Sequence, residues 1–202
     1  MSSAAADMES HKLIVKLFVE DPSAIRADEF VPIFHSWIQM RLVAGHQLID
    51  VADYKHVHDG PGTLLIAHEA NFAMDRGQGR LGLMYARKQP LDGAFRQRLA
   101  SVLRIALEAA VRLEEDVRLQ GRLRFRGDEL LLRINDRLLA PNVPQTFAAL
   151  RPDIQTVLAE LYDGADVSLE HDANPEHLFG VYAKASASPS AAELLRRLGG
   201  RT

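Results

Sequence analysis

The chain has 202 residues, 47% hydrophobic and 25% charged, a globular composition long enough to bury one sizeable core. A formal charge of −3 lacks the net basic face that phosphate backbones require, so no nucleic-acid partner is expected and any anion site must be local. The absence of cysteine excludes disulfides, thiolate catalysis, Fe–S clusters and Cys-ligated zinc and fits a reducing, cytoplasmic compartment; no segment approaches the roughly 20 apolar residues of a membrane span, so no membrane partner is expected.

Residues 1–11 contain no cationic patch followed by an apolar run, so they read as a disordered tail and not as a secretory signal. Residues 12–202 read as a single α+β domain. Lys12 to Glu20 (KLIVKLFVE) is short and rich in branched and aromatic residues, a strand that meets a turn at Asp21-Pro22. Phe30, Ile33, Phe34, Trp37 and Ile38 recur at helical steps, with Pro32 in the first turn and the helix ending by Gly45. Leu64 to Asp75 and Arg80 to Lys88 then flank a hairpin loop, Arg76-Gly77-Gln78-Gly79. With Asp75 opposite Arg80, the pairs Met74 with Leu81, Phe72 with Leu83, Ala70 with Tyr85 and His68 with Arg87 share one side.

Asp92 offers an N-cap for a helix of some 25 residues, about 40 Å long, that runs through Leu99, Leu103, Ala106, Ala110 and Leu113 to Gly121 and forms the spine of the fold. Arg122 to Arg126 and Glu129 to Asn135 read as a hairpin turning at Gly127-Asp128, with Arg122, Arg124, Arg126 and Arg133 on its outer surface. Pro144 to Tyr162 is helical, with a break expected at Arg151-Pro152. Val167 to Glu170 and Leu178 to Lys184 form a last hairpin, and Ser188-Pro189-Ser190 with Glu193 caps a short helix through Leu198. The order β-α-βββ-α-ββ-α-ββ-α gives an α+β fold, a mainly antiparallel sheet built from hairpins and covered by helices on one side, including one long central helix. Three hairpins each followed by a helix hint at a duplicated unit.

Asp50 to Asp75 concentrates three of the eight histidines and five acidic residues. His56 and His58 on alternate residues, followed by Asp59, could share a metal ion, although the spacing departs from metallo-hydrolase signatures and the Gly60-Pro61-Gly62 turn accounts for the segment without one. If Val51 to Val57 pairs with Gly62 to His68 around that turn, His68 lands near Asp50 on one flank and Arg87 on the other. That trio could orient a histidine for proton transfer or hold a carboxylate or phosphate; a satisfied histidine that fixes register is the plainer reading. The loop His171 to His177 and the loop Asn135 to Asn142 carry groups able to bind a metal or a ligand, and both are also explained by their turn chemistry. The arginine row is interleaved with Glu114, Glu115, Asp116, Asp128 and Glu129, which reads as a self-neutralised face. His11, His35 and His46 stand isolated, His35 at the surface. No GxGxxG, Walker, GxSxG or HExxH motif is present, so no cofactor is expected.

VADYKHVHDGPGTLLIAHEANFAMD, with KLFVED, FVPIFHSWIQ and INDRLLAPN, resembles a group of conserved hypothetical bacterial proteins over most of the chain from Lys12 onward. The resemblance implies a bacterial, cytosolic origin and carries no activity, cofactor or site residue with it. The functional expectation is a non-catalytic binding or assembly protein that self-associates as a homodimer through an exposed sheet edge. The alternatives are a metal-dependent hydrolase or isomerase using His56, His58 and Asp59, with His68 and Glu69 near by, and a sensor of small anionic ligands through Arg87 or the Asn135 to Asn142 loop.

Overall fold

The computed structural model describes residues 12–54, 56–57 and 60–199; the expected tail, 1–11, lies outside them. The apolar run at its start forms β1 (Leu13–Val19), which is buried at every position. Burial of both faces belongs to a central strand, and β1 is one. It is joined by β2 (Leu48–Asp53), β3 (Thr63–Ala67), β4 (Ala70–Asp75), β5 (Gly82–Arg87), β6 (Phe125–Ile134), β7 (Val167–His171) and β8 (Phe179–Ala185). Among the described residues these make one sheet in the order β2-β3-β4-β5-β1-β6-β8-β7, antiparallel at every junction.

Among the described residues four α-helices, α1 (Phe30–Met40), α2 (Phe95–Glu114), α3 (Pro144–Leu161) and α4 (Ala191–Gly199), cover one face. Helix α1 lies on β2 and β3, α2 on β1 and β5, α4 on β6 and α2, and α3 on β7. Leu13, Val15, Leu17 and Val19 alternate toward this layer and meet Leu99, Val102, Leu103, Ala106 and Ala110 of α2 in one continuous core. At the β4–β5 end the core is aromatic: Phe34 packs on Trp37 (centroids 5.3 Å), Trp37 on Phe72 (6.4 Å) and Phe72 on Tyr85 (4.9 Å). The order strand, helix, antiparallel strands, helix runs twice, with β1 and β6 side by side at the centre. Among the described residues no helix is long and apolar enough to cross a membrane.

Several sequence expectations are corrected in detail. Leu64 to Asp75 is not one strand: it folds back at His68-Glu69, a turn without Gly or Pro that its neighbours hold, the Glu69 carbonyl accepting from Lys88 and Gln89 and its carboxylate from Gln47 N–H. The β4–β5 register is shifted by two residues, Asp75 facing Gly82 and Ala70 facing Arg87, because Gly77–Gly79 coils into a 3-10 turn that leaves Arg80 and Leu81 outside the pairing. An even shift keeps each side chain on its expected face. Arg122 to Asn135 is not a hairpin. From Phe125 it is the single strand β6, and Gly127 sits in a bulge, where the step from Leu17 to Val19 on β1 is matched by the longer step from Leu130 to Phe125 on β6.

Helix α2 has 20 residues, about 30 Å, and not 25. Its cap is Ala94, whose N–H donates to Gln97 Oε1, in place of Asp92. At the other end Asp116 caps a 3-10 turn that buries Leu119 against the core. Helix α3 runs unbroken through Pro152. The carbonyl that Pro152 cannot satisfy belongs to exposed Ala148, where water can serve it, while buried Leu150, Ile154, Val157, Leu158 and Leu161 hold the two halves in line.

Candidate functional site

Among the described residues the second face of the sheet carries no helix layer, and its centre carries a cluster of buried and half-buried polar groups. Lys16 projects from β1 onto this face and is only 4% exposed. Its ammonium crosses β5 to pair with Asp75 at the end of β4 and donates to the Gly77 carbonyl at 3.1 Å. That crossing explains Gly82: a Cβ there would stand 3.0 Å from Lys16 Cε and 2.5 Å from the Leu17 carbonyl. Burial holds the Lys16 ammonium below the usual lysine range; Asp75 opposes the fall, and Arg133 and Arg80 add to it.

The other half of the sheet repeats the device. Arg133 of β6 crosses Gly180 of β8 to reach Asp172, just past β7, with Nη2 donating to Oδ2 at 2.8 Å. A Cβ on Gly180 would crowd Asp172 Cβ at 3.2 Å. Asp172 Oδ2 also accepts from His177 Nδ1 at 2.9 Å, which leaves His177 Nε2 to accept from Asn174 Nδ2 at 3.2 Å. The two loops then meet above the β1–β6 seam. The Gln78 amide nitrogen lies 3.5 Å from His177 Nε2, and its Oε1 accepts from Tyr182 OH at 2.7 Å. Gln78 holds a left-handed backbone (φ 61°), a cost that a non-glycine residue bears where tertiary contacts fix it.

Beneath this bridge lies a cleft of about 290 Å³. Its apolar lining is Ile14, Met84, Leu131 and Leu178, and its polar lining includes Lys16, Asp75, Gln78 and Arg133. Convergent polar groups in an apolar concavity are the usual form of a small-molecule site. Beside it, Arg80 forks onto Glu129 (2.7 and 2.8 Å) and stacks on the Phe18 ring at 3.7 Å, closing one flank.

Of the residues singled out from sequence, Arg133 and the loop His171 to His177 stand at this cleft, and the others lie elsewhere. His56 is exposed in a turn, and His58 and Asp59 lie outside the described residues. Asp50 is exposed opposite Ile66, and His68 is exposed in the β3–β4 turn, its N–H donating to Gln47 O. Arg87 donates to the carbonyls of Gln89 and Pro90. None of the described hydrogen bonds joins His68, Asp50 and Arg87 to one another. The Asn135 to Asn142 loop is tied down by its own side chains: Asp136 caps Leu138 and Leu139, and Asn142 donates to the carbonyls of Asp172 and Asn174 and contacts His171 Nε2 at 2.7 Å. It braces the loop that carries His177. The arginine row is dispersed and paired, Arg122 with Glu29, Arg124 with Glu114, Arg126 with Asp128 and Arg133 with Asp172.

His35 is exposed as expected, but His46 is not isolated. Its Nδ1 faces the Ala44 carbonyl at 3.0 Å and its Nε2 the Tyr85 hydroxyl at 2.9 Å, with the ring edge-on to Phe72. Burial lowers the proton affinity of His46 and raises the pKa of Tyr85. Tyr85 is fully buried, so this pair is a satisfied core contact.

Sequence reasoning passed over Lys16, Gln78 and Tyr182. Lys16 had a signal, a lone cation inside the apolar run of a central strand; Gln78 and Tyr182 had none, since they meet residues about a hundred positions away. Comparison with protein-family models, curated proteins and solved structures returned no match, so the site is read from its own geometry.

Proposed function

We propose that this chain is a cytoplasmic, non-catalytic binding protein that holds a small molecule in the open-face cleft. The observation that carries the reading is the convergence of two cations from adjacent central strands on one apolar concavity, each anchored across a glycine to its own aspartate. Such anchoring fixes the side chains before a ligand arrives, which lowers the ordering cost of binding. The paired, scattered arginines and the charge of −3 favour a small ligand over a nucleic acid.

Thermal-shift screening against a small-metabolite library tests this. A true ligand raises the midpoint, by the equivalent of about 2.7 kcal/mol at a hundred times its Kd. The rise should vanish in Met84→Trp, which fills the cleft from a half-buried position on β5. Hits that stabilise both proteins equally, or no hit at all, would count against the cleft.

A second reading concerns assembly. Strand β2 is an edge strand, and Ile49 on it is 56% exposed, with Tyr54, Val57 and Met40 exposed close by in the chain or on the helix that packs on β2. Edge pairing with a second copy would cover these groups and satisfy free strand hydrogen bonds. Light scattering should then give a dimer that Ile49→Lys converts to monomer; a wild-type monomer at high concentration refutes the pairing.

A further inference from the structure

Resting on the cleft as the binding site, we infer that its ligand is a small organic acid with an apolar body, its carboxylate held between Lys16 and Arg133. The donors and acceptors decide the class. Among the described residues, Lys16 spends two of its three N–H groups, on Asp75 and on the Gly77 carbonyl. Arg133 uses Nη2 on Asp172, and its Nε is buried with no acceptor among the described residues. The nearby acceptor groups each already take a donor, Asp75 Oδ2 from Lys16, Asp172 Oδ2 from Arg133 and His177, and Gln78 Oε1 from Tyr182. N–H groups of Lys16 and Arg133 are left over, and a ligand that brings acceptors can use them.

Charge sets an upper limit. Each cation already faces its own aspartate, Lys16 facing Asp75 and Arg133 facing Asp172 (2 − 2 = 0), so the site has no surplus charge and its selectivity rests on the spare N–H groups. A monoanionic carboxylate disturbs that balance less than a phosphate dianion would. The rest of the lining, Ile14, Met84, Leu131 and Leu178, offers only dispersion and hydrophobic contact, which suits an alkyl or aryl body. At about 290 Å³ the cleft is at the small end of ligand pockets, which run from roughly 300 to 1,000 Å³, and is too small for a nucleotide coenzyme.

Matched acid and amide pairs test the class: hexanoate with hexanamide, and benzoate with benzamide, titrated calorimetrically into the whole chain. The acids should bind at least tenfold tighter than their amides. Arg133→Met should lose that preference; because it leaves Asp172 with His177 alone, Arg133→Met/Asp172→Asn is measured beside it, with circular dichroism confirming the fold of both. Amides that bind as well as the acids and are expelled by Met84→Trp would overturn the carboxylate class while leaving the cleft as a binding site. Acids whose binding survives Met84→Trp would remove both readings. Inorganic phosphate competing as well as hexanoate would overturn the requirement for an apolar body.

Discussion

Replacing Asp75 by Ala should destabilise the protein by about 3–5 kcal/mol at neutral pH, the cost of leaving a buried cation without its partner. For a chain of this length each kcal/mol lowers the midpoint by about 2–4 °C. The loss should shrink as pH rises. Lys16 in the folded chain already holds its proton less tightly than the ordinary 10.5 because of burial. Between that lowered value and 10.5 the unfolded chain binds more protons than the folded one, so stability climbs with pH across the window. Removing Asp75 takes away the group that holds the lysine's affinity up, so the window opens further downward and the variant gains more from alkali than the wild type does. The double variant Lys16→Met/Asp75→Ala should regain most of the loss, because an apolar chain needs no counter-charge. Chemical denaturation of the three proteins from about pH 7 to 10 checks this; a loss under about 1 kcal/mol with no pH dependence would show that Lys16 is solvated.

The second large effect falls at Gly127→Ala. A Cβ at Gly127 would stand 1.6 Å from the Pro189 carbonyl oxygen, a backbone atom that no rotamer change can move. Either the bulge in β6 or the start of α4 must shift. Helix α4 depends on that position, since Ser190 caps it through Glu193 N–H and it buries Ala191 and Leu194. Overpacking costs typically about 1–3 kcal/mol, occasionally more, and a backbone clash belongs at the upper end. Hydrogen exchange should show α4 opening first, before the central strands. A Gly127→Ala variant as stable as the parent, with α4 equally protected, would mean that the bulge is not packed there.

How far the chain could be read without coordinates depends on which force decides each element. Strand β1, helix α1, the β7–β8 hairpin and α4 follow from local apolar periodicity and caps, and all four stand where the pattern puts them. The errors come where tertiary contacts override a local signal. Gly127-Asp128 has hairpin-turn chemistry but serves a bulge fixed by Pro189, and Pro152 should break α3 but is outweighed by the buried stripe on either side of it. His68-Glu69 turns without Gly or Pro because Lys88, Gln89 and Gln47 supply its hydrogen bonds from other segments. The cleft was least legible. Its parts come from β1, the end of β4, β5, β6 and two hairpin loops, and the local traces are a lysine set among buried apolar neighbours and the polar loop His171 to His177.

The most direct test of the cleft is an amide correlation spectrum of the labelled protein titrated with the small-molecule fraction of a cell extract. The account predicts shifts concentrated at Lys16, Gly77, Gln78, Leu131 and Leu178, and their loss in Met84→Trp. Shifts centred on another surface, or none at any concentration of extract, would contradict it.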